Sequence, residues 1–567
     1  MRAAIYLAAA AASVASTTLA AQLPLMESSY ADSILTQGGD DSVSILKHPS
    51  LPAHSLRVTR PKADLCERES HSRSYSGYLD VDLDKLWEHD ERHGRRQDEP
   101  FGKHPKGIVE HFYFWAFESR SDPKIDPVTL WLNGGPGCSS FTGLLMELGP
   151  CNAAPFNGSK GPHTEWNEWS WNNNSTMVFL DQPIGVGYSY TSWADPQKRK
   201  HSPPPPRIYD TPSAARDASA FLHLLALHSK DVFGGDEDGT GISSFHMAGE
   251  SYAGRYLPLI ASQVLKDNED AAEHPERGLH PLPLSSILIG NGITSPKHQY
   301  PAYVEYSCNN EHGYGVFLPQ DQCERMVEDT PTCLALTEKC NAVSGDEPDS
   351  EKKYDVLACK MASQYCEAKL STPWFETGRS AYDWRHWGDY EEEEWVARFL
   401  NDKHTKRALG VDKFIGDDHH GTFIGCSDAV GKHFEKSGDG ARDSTWAVRD
   451  VLAKGVRVLT YFGTADFICN YLGGEKWTLD LEWSGADEFR KQPLEEWTLP
   501  SGKPTSGSGD KDNNDKGERG GDFRAFGNFT YATVDDSGHF VPHDRPRAAL
   551  AMLNYWLHGS QQGRLEP

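Results

Sequence analysis

One local pattern constrains this chain more than any other: a strand-like run that breaks at a serine and resumes as a helix. The run Ile242 to Met247 is followed by Gly249-Glu-Ser251-Tyr-Ala253. Ala253, Tyr256, Leu257, Ile260 and Val264 then fall on one helical face. Strand, tight turn, helix is the geometry that lifts a serine Oγ clear of the backbone. Small neighbours tolerate the strained turn, and the next N–H points at a developing oxyanion. The same short pattern recurs at Gly425-Cys-Ser427-Asp-Ala429, and chance yields on the order of one such match in a chain like this. No comparable helix is expected directly after Ser427. Ser251 is therefore the candidate nucleophile and Ser427 a structural residue.

A nucleophilic serine needs a base and an orienting carboxylate, and in this architecture they follow it in the order Ser, Asp, His. Asp466 sits in Gly463-Thr-Ala-Asp-Phe-Ile-Cys469, just after the strand-like run Val456 to Phe462. His539 sits in Asp536-Ser-Gly-His-Phe-Val-Pro542, after Phe529 to Val534 and before a helical segment from Arg545 to Leu557. Asp181 also ends an apolar run but precedes the serine, and Asp535 and Asp536 share the histidine's loop and are read as shaping it. A second oxyanion donor should come from a loop after an earlier strand. Asn133-Gly-Gly-Pro-Gly-Cys-Ser-Ser140 follows Val128 to Leu132 and fits. A phosphate cradle is a poor alternative, because no Lys-Ser/Thr pair closes the loop.

The surrounding pattern supports a layered α/β fold. His111 to Phe117, Val128 to Leu132, Thr176 to Leu180, Ser244 to Ala248, Leu284 to Ile289, Val456 to Phe462 and Phe529 to Val534 read as buried strands. Thr211 to His228 reads as a helix. Strands alternating with helices predict an α/β-hydrolase fold: a mostly parallel central sheet covered on both faces. Residues 61–294 form the first part of this core and 427–567 the second. Between them, 295–426 breaks the pattern with Cys308, Cys323, Cys333, Cys340, Cys359 and Cys366. An inserted, disulfide-braced cap is expected rather than a zinc site, since no Cys-x-x-Cys pair occurs. Residues 501–521, rich in Gly, Ser, Lys and Asp, read as a solvated loop.

Residues 1–20 read as a secretory signal peptide, with a charged start and a short apolar run; 21–60 is a pro-segment or an N-terminal arm. Eleven cysteines and sequons at Asn157, Asn173, Asn174 and Asn528 agree with export. The expected destination is the cell exterior, with vacuolar delivery as the alternative. No other apolar run reaches the roughly 18 residues of a membrane helix, so integral membrane association is not expected. A formal charge of −26 argues against nucleic acid or an anionic membrane as partner.

The motifs together resemble the serine carboxypeptidases, in particular their secreted or vacuolar fungal branch. The resemblance rests on Trp131-Leu-Asn-Gly-Gly-Pro-Gly-Cys-Ser-Ser140, Glu147-Leu-Gly-Pro150, Asp181 to Tyr190, Gly249-Glu-Ser-Tyr-Ala-Gly-Arg-Tyr256, Gly290-Asn291-Gly292, Asp466-Phe-Ile-Cys469 and Gly538-His-Phe-Val-Pro542. It runs from about Tyr75 to the C-terminus.

The resemblance implies release of C-terminal residues from peptides through an acyl-enzyme, with Ser251, Asp466 and His539 as triad. It implies the N–H groups of Gly135 and Tyr252 as the oxyanion hole. Asn133, Gly134 and Glu250, with Trp131 and Glu147 nearby, would bind the substrate's free carboxylate. Cys469 matches a free thiol near the active site, and neither cofactor nor metal is implied. An acidic optimum follows if Glu147 and Glu250 share a proton. Phe540, where some relatives carry Met, and the insertion at 501–521 are departures that bear on the preferred leaving residue. The alternatives in view are an acyltransferase of the same family and a non-catalytic binding protein on the scaffold.

Overall fold

The computed structural model describes residues 43–559, less 62–64, 71, 93–105, 157–160, 196, 198–209, 230–231, 233–241, 280, 310–312, 314, 343–353, 413–421 and 501–516, together with residue 565. The expected signal peptide, Asn157 and most of the 501–521 loop lie outside the described residues.

Six strands form a parallel middle in the spatial order β8 (Thr176–Leu180), β5 (Val128–Leu132), β10 (Phe245–Ser251), β11 (Leu284–Gly292), β12 (Arg457–Gly463) and β15 (Phe529–Val534). Alternation of side chains explains why these runs read as continuously apolar. Leu130 and Leu132 enter the core on one face of the sheet, Trp131 the core on the other. Met247 and Ala248, and Ile287 and Leu288, divide the same way.

The sheet is less parallel than the sequence suggests. On one side it continues antiparallel through β4 (Ile108–Phe117), β3 (Ser74–Asp82), β2 (His54–Thr59) and β1 (Ser44–Lys47), with β9 (Tyr190–Trp193) also pairing β4. On the other side β14 (Arg519–Phe526) and β13 (Glu495–Thr498) close it, again antiparallel. A separate hairpin joins β6 (Cys151–Ala154) and β7 (His163–Trp166).

Two expected boundaries shift as a result. The end of the 21–60 segment is not loose, because β1 and β2 are paired into the sheet. The solvated loop ends before 521, because β14 begins at Arg519.

Between β11 and β12 the chain builds the cap, mostly helices, including Gln320–Asn341 and Val356–Cys366. Disulfides Cys308–Cys323, Cys333–Cys366 and Cys340–Cys359 brace it. Cys66–Cys151 and Cys138–Cys426 complete five pairs, leaving Cys469 free and buried. Ser427 is followed by a helix after all, Asp428–Ser437, but accepts Val430 N–H as its N-cap. Among the described residues no helix is long and apolar enough to cross a membrane.

Candidate active site

The residues singled out from sequence gather at the carboxyl ends of the parallel strands, where open α/β sheets present their clefts. Ser251 ends β10 in the left-handed region, φ 62°, and a 21-residue helix, Ala253–Glu273, starts two residues on. Gly249 permits the turn: a Cβ there would lie 2.3 Å from the Leu132 carbonyl oxygen and 2.8 Å from the Ala253 methyl. The motif's glycine is thus required by the approach of the Leu132 carbonyl and the Ala253 methyl.

Asp466 follows β12 and His539 follows β15. His539 Nδ1 donates to Asp466 Oδ2 across 2.8 Å, both side chains essentially buried. Asn291, at φ 41° near the end of β11, donates from Nδ2 to the same oxygen at 2.7 Å, while its Oδ1 accepts Gly463 N–H. Asparagine tolerates this backbone conformation because its short polar side chain bonds locally. Sequence reasoning placed Asn291 only within a motif; the signal available was an asparagine between two glycines at a strand end.

Cys469 Sγ comes within hydrogen-bonding reach of Ser251, and ligand-capable atoms of Asp466, Cys469 and His539 all lie within 4.8 Å of one another. Burial, reinforced by Asp466 and Glu250, pushes the thiol well above its usual range, so it stays protonated.

The glycine loop approaches Ser251 closely: a Cβ on Gly134 would fall 2.3 Å from Tyr252 N. Behind it Asp181 serves the loop rather than the histidine, accepting Ser139 Oγ–H at 2.5 Å and Tyr188 N–H at 3.0 Å. Burial raises the Asp181 carboxyl to about 7. The loop is tied to the end of the cap through Cys138–Cys426, Ser139 N–H to Gly425 O at 2.7 Å and Ser427 N–H to Gly137 O at 2.8 Å. The second Gly-x-Ser-x-Ala motif is therefore a brace for the glycine loop.

Asn133 has one defined orientation. Its Oδ1 accepts Trp131 Nε1–H and Gly143 N–H, both at 2.9 Å, so the Nδ2 that donates to Glu250 Oε1 at 2.7 Å is unambiguous. Trp131, expected beside a bound carboxylate, is fully buried and uses its single donor on Asn133. It acts by orienting that amide.

Glu147 lies within reach of Glu250 and Asn133, yet neither of its oxygens meets a well-aligned donor. Two carboxylates cannot bond without a proton between them. Burial raises both acids, and the Glu147 charge raises Glu250 further.

Of the sequons, Asn528 donates both amide hydrogens to the Leu452 and Val456 carbonyls. Asn173 is bonded to Arg120 and Glu168. Asn174 is half-buried.

A serine lifted from the end of a central parallel strand, with acid and histidine on loops after later strands, is the arrangement of α/β-hydrolases, and the fold puts this chain in that class. Within it, the chain belongs to the serine carboxypeptidase family, whose sequence model matches residues 102–559. It is 36% identical over 515 residues to carboxypeptidase Y of Candida albicans, covering 90% of this chain and 77% of that protein. Carboxypeptidase Y of Saccharomyces cerevisiae is 34% identical over 521 residues, covering 91% and 81%. The crystal structure of Kex1(delta)p, a prohormone-processing carboxypeptidase from Saccharomyces cerevisiae, shares the fold with a TM-score of 0.63 at 22% identity, covering 87% of this chain and 94% of that one. The protein is a serine-type carboxypeptidase.

Proposed function

We propose that Ser251 Oγ attacks the last peptide carbonyl of a polypeptide while His539 Nε2 takes its proton. Asp466 holds the opposite Nδ1–H and stabilises the imidazolium that forms. The N–H groups of Gly135 and Tyr252 receive the oxyanion. His539 then protonates the leaving nitrogen, the terminal amino acid departs, and water hydrolyses the acyl-enzyme by the reverse roles.

Selection for a chain end comes from the neighbouring polar cluster. Asn133 Nδ2 has a second hydrogen beyond the one given to Glu250, Gly134 offers its N–H, and the proton shared by Glu250 and Glu147 supplies another donor. An anionic α-carboxylate matches these donors, and a neutral amide does not. Five disulfides fit passage through an oxidising compartment, with the cell exterior or a vacuole as destination.

The single observation carrying this reading is the buried His539–Asp466 bond beside a serine held at positive φ. The test is covalent labelling by an organophosphorus reagent, mapped by mass spectrometry, alongside amino-acid release from a blocked dipeptide and its amide. Labelling elsewhere than Ser251, or equal preference for the amide, would overturn it.

A further inference from the structure

The cap touches both loops that carry the acid and the histidine, through one short segment, Ala381–Trp384. Ala381 O accepts the N–H groups of Phe467 (3.2 Å) and Ile468 (3.0 Å), and Trp384 N–H donates to Ala465 O (3.1 Å). These bonds flank Asp466 on both sides. Between them, Tyr382 O accepts the N–H of His539 itself at 2.7 Å, and the Tyr382 ring packs against the imidazole at a tilt of 44°, with centroids 5.1 Å apart. The approach is close enough to require glycine before the histidine: a Cβ on Gly538 would fall 2.5 Å from Tyr382 O and 2.7 Å from Asp383 Cβ.

What fixes this segment is an ion pair. Asp383 is fully buried, and Arg385 grips it with Nε at 2.9 Å from Oδ1 and Nη2 at 2.5 Å from Oδ2. The same guanidinium reaches the histidine's loop, donating from Nη1 to Asp536 O at 3.1 Å and from Nη2 to Asp544 Oδ2 at 3.4 Å. That Asp544 oxygen also accepts Gly538 N–H at 2.6 Å. A planar fork of five donors can satisfy a buried carboxylate and a second surface together, as a lysine ammonium cannot.

We propose that Arg385 is a positioning residue for the reaction: joined to Asp383, it clamps the cap segment against the Gly538–His539 peptide and holds the imidazole where it can serve both the serine and the leaving nitrogen. The proposal rests on His539 being the base. Proton transfer is sensitive to displacement on the ångström scale, and the Arg385 bonds brace a cap segment that is bonded to both loops. The carboxylate-binding cluster around Asn133 and Glu250 hangs from other strands and is untouched by Arg385.

The experiment compares kcat and KM for a blocked dipeptide in wild type, Arg385→Ala, Arg385→Lys, Gly538→Ala and His539→Ala, with the unfolding midpoint of each. Arg385→Ala is expected to lower kcat roughly 10- to 100-fold with KM unchanged, and to lower the unfolding midpoint because buried Asp383 loses its ion partner. Gly538→Ala, which wedges the same contact apart, should show the same split. Unchanged kcat in Arg385→Ala, or a loss that appears wholly as raised KM, overturns the proposal. If Arg385→Ala does not fold, Arg385→Lys is read by the same two criteria. Retained turnover in His539→Ala would overturn the base assignment instead. An inactive His539→Ala beside a fully active Arg385→Ala would sink the positioning role alone.

Discussion

Asn291 Nδ2 donates to the same Asp466 oxygen, Oδ2, that accepts from His539 Nδ1. The acid is thus held from two strands at once, and its other oxygen has no partner among the described residues. Asn291→Gly keeps the backbone free to adopt φ 41° but removes the donor, letting the carboxylate turn. Expected is a fall in kcat of roughly tenfold or more with KM unchanged. Wild-type kcat in this variant would show that His539 alone orients the acid.

The two serine motifs should separate cleanly. Ser251→Ala is expected to lose several orders of magnitude in turnover and all acyl-enzyme formation. Ser427→Ala loses only a helix cap, a destabilisation of about 0.5–2 kcal/mol, and should stay active once folded. Burst kinetics and denaturant midpoints on both variants check this.

The acid pair predicts how binding responds to pH. Burial and like charge raise both carboxyls, so in acid the pair retains the proton that can bond a substrate carboxylate. As pH rises through the raised range that proton leaves, the site gains negative charge, and KM for peptides should climb. The matching amide carries no carboxylate and should show no such climb. Glu147→Gln with Glu250→Gln should flatten the peptide curve. A wild-type peptide KM that stays level between about pH 4 and 8 would disprove the shared proton.

Cys469 should behave as a hidden thiol. Burial keeps it protonated, so iodoacetamide is expected to react slowly with the native enzyme and quickly after unfolding. Cys469→Ala should retain turnover, because the thiol takes part in no bond change. Peptide mapping that found Cys469 in a disulfide would contradict this.

Below the glycine loop, Asp439 is fully buried and accepts from Thr211 Oγ1 (2.6 Å), Tyr252 Oη (2.6 Å) and Arg255 Nε (3.1 Å). Asp439→Ala leaves Arg255 as an uncompensated buried charge. A loss of about 3–5 kcal/mol in stability is expected, measurable by denaturant unfolding. A loss under about 1 kcal/mol would mean that water or Arg442 O already satisfies the guanidinium.

Local pattern carried the parts of this molecule that depend on near neighbours. The runs ending at Leu132, Ser251, Gly463 and Val534 are apolar on both faces because both faces are covered, and that is legible in one dimension. The order Ser251, Asp466, His539 followed from where those runs stop. Outer strands such as His54–Thr59, next to the edge strand, alternate buried and half-buried residues, so their composition looks like loop. Asn291 and Arg385 escaped notice for another reason: Asn291 meets Asp466, and Arg385 meets Asp536 and Asp544, only across long stretches of chain. The disulfide pairing was closed to sequence on the same grounds.

The bond between Cys138 and Cys426 spans 288 residues, and this sets an order of events during synthesis. A nascent chain already contains Ser251 when the partner of its glycine loop has not yet been translated. The loop can be braced only once the cap is complete and a thiol pair has been oxidised. Timing is thereby written into the covalent structure: the peptidase cannot brace its glycine loop before the chain through Cys426, of 567 residues, has left the ribosome.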